Sequence, residues 1–305
     1  MAAAKMRHPM RAGAASVSDG SGHAVVPVVT LLTDFGREDA YVGAMKGVML
    51  GINPQVRIVD ISHAIPPRNL TRAACIAVRY HRCFPPRSVH VIVVDPGVGS
   101  DRDIVALRVD GHVFLAPDNG VLTLLLQSAG AADVYRVENR ILFRHPVSAT
   151  FHGRDIFAPV AAHLAGGMAL EEVGCALCAA DLKTLKLAAP TVSGRTVAGV
   201  VTAVDHFGNL LTNIGRELLS AAAPAGGGRR FQVRVAGQRI QGVFTHYAAA
   251  AEGCLMALVD SDGYLEIAVR GGSAADRLGA GPGDAVVLAA FCGGGGGKTP
   301  ENHES

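Results

Sequence analysis

Between residues 26 and 165, short aliphatic and β-branched runs alternate with amphipathic stretches: VVPVVTLL, then DAYVGAMKGVMLGI, then VRIVDI, then LTRAACIAVRYHRC, then VHVIVVD. Strand-length apolar runs alternating with helix-period segments predict βαβ units and a mostly parallel sheet covered on both faces. The expected fold of this part is therefore an α/β, Rossmann-like domain. In such sheets ligands bind outside the carboxyl ends of the strands. Asp34 and Asp95 each follow an apolar run and fall at such ends.

After about residue 190 the pattern changes to strands separated by glycine and polar turns: TVAGVVTAVD, RRFQVRVAG, LMALVD, YLEIAV and AVVLAAF. This predicts an all-β second domain, a small barrel or sandwich. The expected division is an α/β domain over 26–165, a connection over 166–192 and an all-β domain over 193–292. A leader over 1–25 and a glycine-rich tail over 293–305 read as flexible by composition. A chain of 305 residues suits two domains better than one core.

Composition narrows the partners. A net charge of +2, with basic residues scattered along the chain, argues against a nucleic-acid footprint. No apolar run approaches the roughly 20 residues of a membrane-spanning helix, so a soluble protein is expected. Six cysteines without a disulfide-like spacing, and no secretory signal, point to a reducing cytoplasm. Cys175 and Cys178 form an isolated Cys-x-x-Cys, read as small buried residues in preference to a zinc or redox site.

Several stretches carry candidate chemistry. Asp34 lies in LLTDFG, which has the Asp-Phe-Gly of a kinase metal site, but the 33 preceding residues supply none of the other kinase parts. In VIVVDPGVGSDRD an apolar strand delivers Asp95 into a Pro-Gly-x-Gly turn that can expose backbone amides to a ligand; capping of that turn is the plainer alternative. Neither a Walker loop nor a Gly-x-Gly-x-x-Gly follows a strand. His152 precedes a helix whose first turn includes Asp155. Asp118 or Asn119 is expected to cap the helix after Gly120. Asp205 ends another strand, with Asn209 beyond the turn, and Ser261 and Glu266 lie in SDGYLEIAV.

Taken together, LLTDFGREDAYVGAMKGVMLGINP, IVDISHAI, VDPGVGSDR, APDNGVLTLL, TFHGRDIFAPVAAHLA, VDHFGNLLTN and SDGYLEIAVRGGSAA resemble the S-adenosylmethionine (SAM) hydroxide adenosyltransferase family, SAM hydrolases related to fluorinase and chlorinase. The stretches occur in family order over roughly residues 28–292. The resemblance implies hydrolysis of SAM to adenosine and L-methionine with no cofactor and no metal. It also implies a homotrimer with SAM held between one subunit's first domain and its neighbour's second.

By the same resemblance Asp34 holds the ribose hydroxyls, Asn209 meets the adenine, and Ser261, Glu266 and Val269 lie near the nucleoside and methionine portions. Asp205 matches the aspartate that receives the methionine ammonium group in halogenating relatives. The hydrolase trio appears as Asp95, Arg102 and His152, assigned as one unit that activates water. The fluorinase has tyrosine, threonine and serine at the positions of Asp95, Val98 and Gly153, and carries an insertion after the arginine that is missing here. It also has an arginine where this chain has Asp262, which leaves recognition of the methionine carboxylate open. A SAM-dependent halogenase and a non-catalytic nucleoside sensor are the competing expectations.

Overall fold

The computed structural model describes residues 28–222 and 229–292. The expected leader and the expected tail lie outside the described residues. The chain divides into two units, the first running to Leu185 and the second starting at Lys186.

The first unit contains β1 (Val28–Thr33), α1 (Tyr41–Ile52), β2 (Arg57–Ser62), α2 (Leu70–Tyr80), β3 (Val89–Val93), β4 (Ile104–Val109), β5 (His112–Pro117), α3 (Thr123–Ser128), β6 (Asp133–Arg136), α4 (Ala158–Ala165) and β7 (Ala176–Leu177). Its sheet has the order β2-β1-β3-β5-β4-β6-β7. β1 is parallel to β2 and β3, and β3 to β5; β4 is antiparallel to both β5 and β6, and β7 to β6. The sheet is thus mixed, with most strands running one way. The chain steps from β1 to β2 on one side and then to β3 on the other, so β1 and β3 flank a switch point, where a crevice opens at the strands' carboxyl ends.

Side-chain alternation builds two cores from one sheet. Val91 and Val93 of β3 face Met45 and Met49 of α1 and Val160 of α4. Ile92 and Val94 face the other way, with Ala73 and Ala77 of α2 and Leu125 of α3. Every residue of β3 is buried, the mark of a strand with helices on both faces. Asn69 starts α2 by accepting from the Arg72 N–H, and Pro159 sits in the first turn of α4, where a missing N–H does no harm. Segment 166–185, expected to be part of the connection, hydrogen-bonds back to the first unit: Lys183 N–H donates to Asp118 Oδ1 and Leu185 N–H to Thr123 Oγ1. Cys175 and Cys178 flank β7 and are exposed, not buried as expected.

The second unit contains β8 (Thr191–Ser193), β9 (Thr196–Val204), β10 (Leu210–Gly215), α5 (Arg216–Ala222), β11 (Arg229–Val235), β12 (Gln238–Gln241), β13 (Leu255–Val259), β14 (Tyr264–Val269), α6 (Ala274–Leu278) and β15 (Ala285–Cys292). The sheet runs β12-β11-β15-β9-β10-β14-β13, antiparallel throughout, with β8 paired to β9. Phe244 N–H donates to Ala257 O at 2.7 Å, drawing the β12 end toward β13 and nearly closing a barrel. β9 alternates buried and half-buried positions along its whole length, in contrast to β3, because only one of its faces meets a core. Val197, Val201, Leu210, Ile267 and Leu288 fill that interior.

Candidate active site

Asp34 and Asp95 follow the adjacent parallel strands β1 and β3, so the switch point sets both carboxylates at one edge of the sheet. Asp34 Oδ2 accepts from the Arg68 N–H at 2.9 Å. Arg68 has a φ of 65°, an uncommon backbone conformation for an arginine, and it turns this amide toward the carboxylate.

Asp95 does two jobs. Its Oδ1 accepts from Gly97 N–H at 3.2 Å, the turn cap anticipated as the plain alternative. It also pairs side-on with Arg102: Arg102 Nε lies 2.9 Å from both carboxylate oxygens, and Nη2 donates to Oδ2. Both side chains are nearly buried, at 4% exposed for Asp95 and 6% for Arg102. The bidentate fork fixes the plane of the guanidinium as well as its position. The turn between them needs a glycine at position 99, where φ is 81° and a Cβ would lie 2.3 Å from Ala149 O.

Arg102 Nη2 reaches His152 Nδ1 at 3.0 Å, so Asp95, Arg102 and His152 form one continuous chain. A guanidinium can only donate, so Nδ1 must accept and a neutral His152 carries its proton on Nε2. Burial, and then the Arg102 charge, push the His152 pKa below its ordinary value, against the opposing pull of Asp95 and Asp155. The imidazole is therefore neutral near pH 7. Asp95 receives three donated protons through four contacts, two at each carboxylate oxygen, because the Arg102 Nε–H is shared between Oδ1 and Oδ2.

His152 is held in place by the segment on its C-terminal side. Residues 153–157 form a π-helical turn leading into α4. Inside it the fully buried Asp155 accepts from Arg144 (3.0 Å), from Arg154 through both oxygens (2.7 Å each) and from the Ser148 N–H (2.9 Å). Hydrogen bonding from Arg154, aided by Ser148 and Arg144, outweighs burial and lowers the Asp155 pKa to about 2. Gly153, beside His152, has Met45 Sδ and the Phe35 and Phe151 rings 3.2 to 3.4 Å from where a Cβ would sit, so a serine here would have to displace one of them. Phe35, Tyr41 and Phe151 pack edge to face with centroids 5.2 to 6.2 Å apart, forming an aromatic wall that joins the Asp34 turn to the His152 turn. Asp155 is legible from sequence only as a first-turn carboxylate, and the wall is not legible at all, because its rings come from two stretches far apart in the chain.

The helix-cap expectation fails. Asn119 Oδ1 accepts from Val121 N–H and its Nδ2 donates to Val94 O, while α3 starts at Thr123 without a side-chain cap. Asn119 instead pins the residue before Asp95, a strand-end role that competes better for its amide than a helix terminus does.

In the second unit Asp205 bonds within its own turn, accepting from Phe207 N–H (2.9 Å), Asn209 N–H (2.8 Å) and Asn209 Nδ2 (3.0 Å). Asn209 is nearly buried and its Oδ1 stays available as an acceptor among the described residues. Phe207 at the tip of the turn is 74% exposed. Gly208 has a φ of 83°, with Ser273 Oγ 2.1 Å from a would-be Cβ, so this turn abuts the start of α6 near Val269. Glu266 is buried in β14 and accepts from the Tyr247 hydroxyl at 2.6 Å, a partner that sequence reasoning missed. Ser261 lies exposed in the turn before β14, whereas Val269 ends that strand. The two are separated by the strand's length, about 17 Å. Asp262 is exposed in the same turn, its N–H donating to Asp260 Oδ1. A separate cavity of about 890 Å³, lined by residues including Arg216, Phe231, Gln241 and Phe244, opens in this unit. Among the described residues no group of three or more His, Cys, Asp or Glu side chains is placed to hold a metal ion, and no helix is long and apolar enough to cross a membrane.

An α/β unit in which a nearly buried carboxylate-guanidinium pair continues to a half-buried imidazole at a switch point, followed by an antiparallel β unit, defines a two-domain protein with a candidate polar reaction centre. The sequence matches the SAM hydroxide adenosyltransferase N-terminal domain over residues 29–174 and the corresponding C-terminal domain over residues 199–287, and the chain belongs to that family. It is 39% identical over 273 residues to an (R)-S-adenosyl-L-methionine hydrolase of Salinispora tropica, covering 88% of this chain and 99% of that one. A fluorinase of Actinoplanes is 33% identical, over 79% of this chain and 90% of its own. Among solved structures, an uncharacterized conserved protein of Thermotoga maritima superposes with a TM-score of 0.80 at 39% identity, over 86% and 99% of the two chains.

Proposed function

We propose that this protein hydrolyses SAM to adenosine and L-methionine, water attacking C5′ in line with the departing sulfur. The observation that carries the reading is the continuous Asp95-Arg102-His152 chain with its nearly buried ion pair. The C5′–O bond forms as the C5′–S bond breaks; methionine leaves as a neutral thioether, so no general acid is required, and one proton is released in total. Asp95, the carboxylate of the chain, takes the proton from the water as the new bond forms, the Arg102 Nε–H that its two oxygens share falling to one of them alone. His152 has its acceptor nitrogen engaged by Arg102 and acts as a fixed Nε2–H donor that orients the nucleophile, not as the base.

The same carboxylate disfavours halide chemistry. Two unit negative charges about 4 Å apart repel by roughly 4 kcal/mol at an effective dielectric of 20, whereas a neutral water gains a hydrogen bond there. Asp34 accepts from the ribose cis-diol, its Oδ2 already oriented by the Arg68 amide. In the second unit, Asn209 Oδ1 receives the adenine amino group, while Val269 and Glu266 of β14 and Ser261 in the turn before it serve the remaining nucleoside and methionine portions. Asp205 orders Asn209 in this reading, and its Oδ2, which accepts a single hydrogen bond within the turn, makes the ammonium contact. The reaction uses no cofactor and no metal. The protein acts as a homotrimer in the cytoplasm, an assembly state that light scattering tests independently of activity.

Incubating purified protein with SAM in chloride- and fluoride-containing buffer tests the reaction. Adenosine and methionine in equal amounts are expected; 5′-halo-5′-deoxyadenosine would make the protein a halogenase, and SAM bound but unconsumed would make it a sensor.

A further inference from the structure

The stretch IVDISHAI has no chemical role so far, yet it lies directly behind the Asp34 turn. Thr33, fully buried at the end of β1, accepts from the Phe35 N–H at 3.2 Å, and its hydroxyl lies 2.9 Å from His63 Nδ1. The His63 carbonyl accepts from Gly36 N–H at 2.8 Å. One residue from a different strand end thus holds both sides of Asp34. On its far side, His63 Nε2 lies 3.1 Å from Asp60 Oδ1, within ion-pair distance although off the hydrogen-bond axis. Asp60 Oδ2 is 2.6 Å from Lys46 Nζ of α1.

The donors and acceptors run in one direction. With Asp60 drawing the ring proton to Nε2, Nδ1 is left as an acceptor, so the Thr33 O–H must donate to it. The lone pairs of Thr33 Oγ1 are then free for the Phe35 amide at the turn. Burial works against the charge on Asp60, but Lys46 and His63 outweigh it and hold Asp60 ionised. The backbone of the Asp34 turn is thereby tied through four side chains to α1 and β2.

We propose that His63 is the positioning residue for Asp34, and that the chain from Thr33 through His63 and Asp60 to Lys46 sets the carboxylate for a ribose diol. The inference rests on the proposed role of Asp34 and extends it to residues that touch no substrate. A purely structural role for His63 would weaken every ligand alike, whereas a positioning role is felt only by ligands that have the diol.

The test is calorimetric binding of adenosine and of 2′,3′-dideoxyadenosine, which lacks both hydroxyls, to four proteins: wild type, His63→Leu, His63→Asn and Asp60→Ala. The wild type should prefer adenosine. In His63→Leu, affinity for adenosine should fall about tenfold while that for the dideoxynucleoside stays unchanged. His63→Asn keeps an acceptor at the Nδ1 position and should retain most of the preference. Asp60→Ala, at a partly exposed site where folding is not in question, should lose about threefold of it. Equal weakening toward both nucleosides, or an intact preference in Asp60→Ala and in His63→Leu if that variant folds, would overturn the proposal. A wild type indifferent to the two hydroxyls would overturn the reading of Asp34 beneath it, and would be seen before any variant is compared.

Discussion

The reaction centre of the first unit and the Asp205 turn of the second both display aspartates at strand ends, yet they are built in opposite ways. Among the described residues the Asp205 carboxylate bonds to residues two and four positions away, so its contacts are those of any Asx turn. Asp95 makes one such local bond and then reaches across to Arg102, which contacts His152 fifty positions further along the chain. A local arrangement can exist for the turn alone. A buried ion pair joined to a distant imidazole is not required by any turn, and taking two charges out of water costs free energy unless the geometry is good. That contrast is why the trio, and not the second-unit turn, carries the functional argument.

The comparison can be broken at its strongest point first. Asp95→Asn, Arg102→Lys and His152→Ala should each lower kcat by about a thousandfold or more, equivalent to about 4 kcal/mol of transition-state stabilisation. Arg102→Lys is the sharpest of them, since a lysine keeps the charge but loses the two-pronged fit and the bond to Nδ1. Steady-state rates near wild type in all three would remove the mechanism. Asp34→Ala should act differently, raising KM for SAM at least tenfold with a smaller change in kcat.

A second contrast concerns acid. On the α2 side of the sheet His90 is fully buried, bonded to Thr30 (2.8 Å) and His112 (3.1 Å) and stacked on Phe114. Burial, followed by repulsion from His112 and His81, lowers its pKa to about 3. Between pH 6.5 and 3 the unfolded chain binds a proton that the folded protein refuses, so stability falls as pH falls through this window and is complete above it. At pH 5 the loss from His90 alone is about 2 kcal/mol relative to pH 7.5; His81 and His112, also lowered chiefly by burial, add in the same direction. Denaturant melts at the two pH values should show the slope, and His90→Phe should flatten it. No pH dependence in the wild type would mean that these rings titrate freely.

The smallest effect belongs to the turn. Asp205→Ala removes local hydrogen bonds and should lower stability by about 1 kcal/mol, with a modest loss of affinity because Asn209 is no longer ordered. A loss of turnover as large as that of Arg102→Lys would erase the distinction between the two regions.

Much of the architecture is legible in the hydrophobic pattern. The apolar run from Val91 to Val94 announces a strand covered on both faces, and the alternation from Thr196 to Val204 a strand covered on one. The strand-end positions of Asp34 and Asp95 come from the same pattern, while the grouping of Asp95 with Arg102 and His152 comes from family resemblance. Contacts that leave no periodic trace stay illegible. His63 meets Thr33 across thirty positions, Tyr247 meets Glu266 across nineteen, and Asp155 collects Arg144 and Arg154. Asn119 is misread as a helix cap because its residue type suits a cap; its amide serves Val94 instead. The antiparallel hairpin of β4 and β5 is also hidden, since the short turn at Asp110 and Gly111 interrupts a run that otherwise resembles the parallel strands before it.

Single-turnover conversion of SAM in water enriched in oxygen-18, with both products analysed by mass spectrometry, tests the central claim most directly. The account predicts one heavy oxygen in the 5′-hydroxyl of adenosine and none in methionine. Unlabelled adenosine, or a label found in any other product, would contradict it.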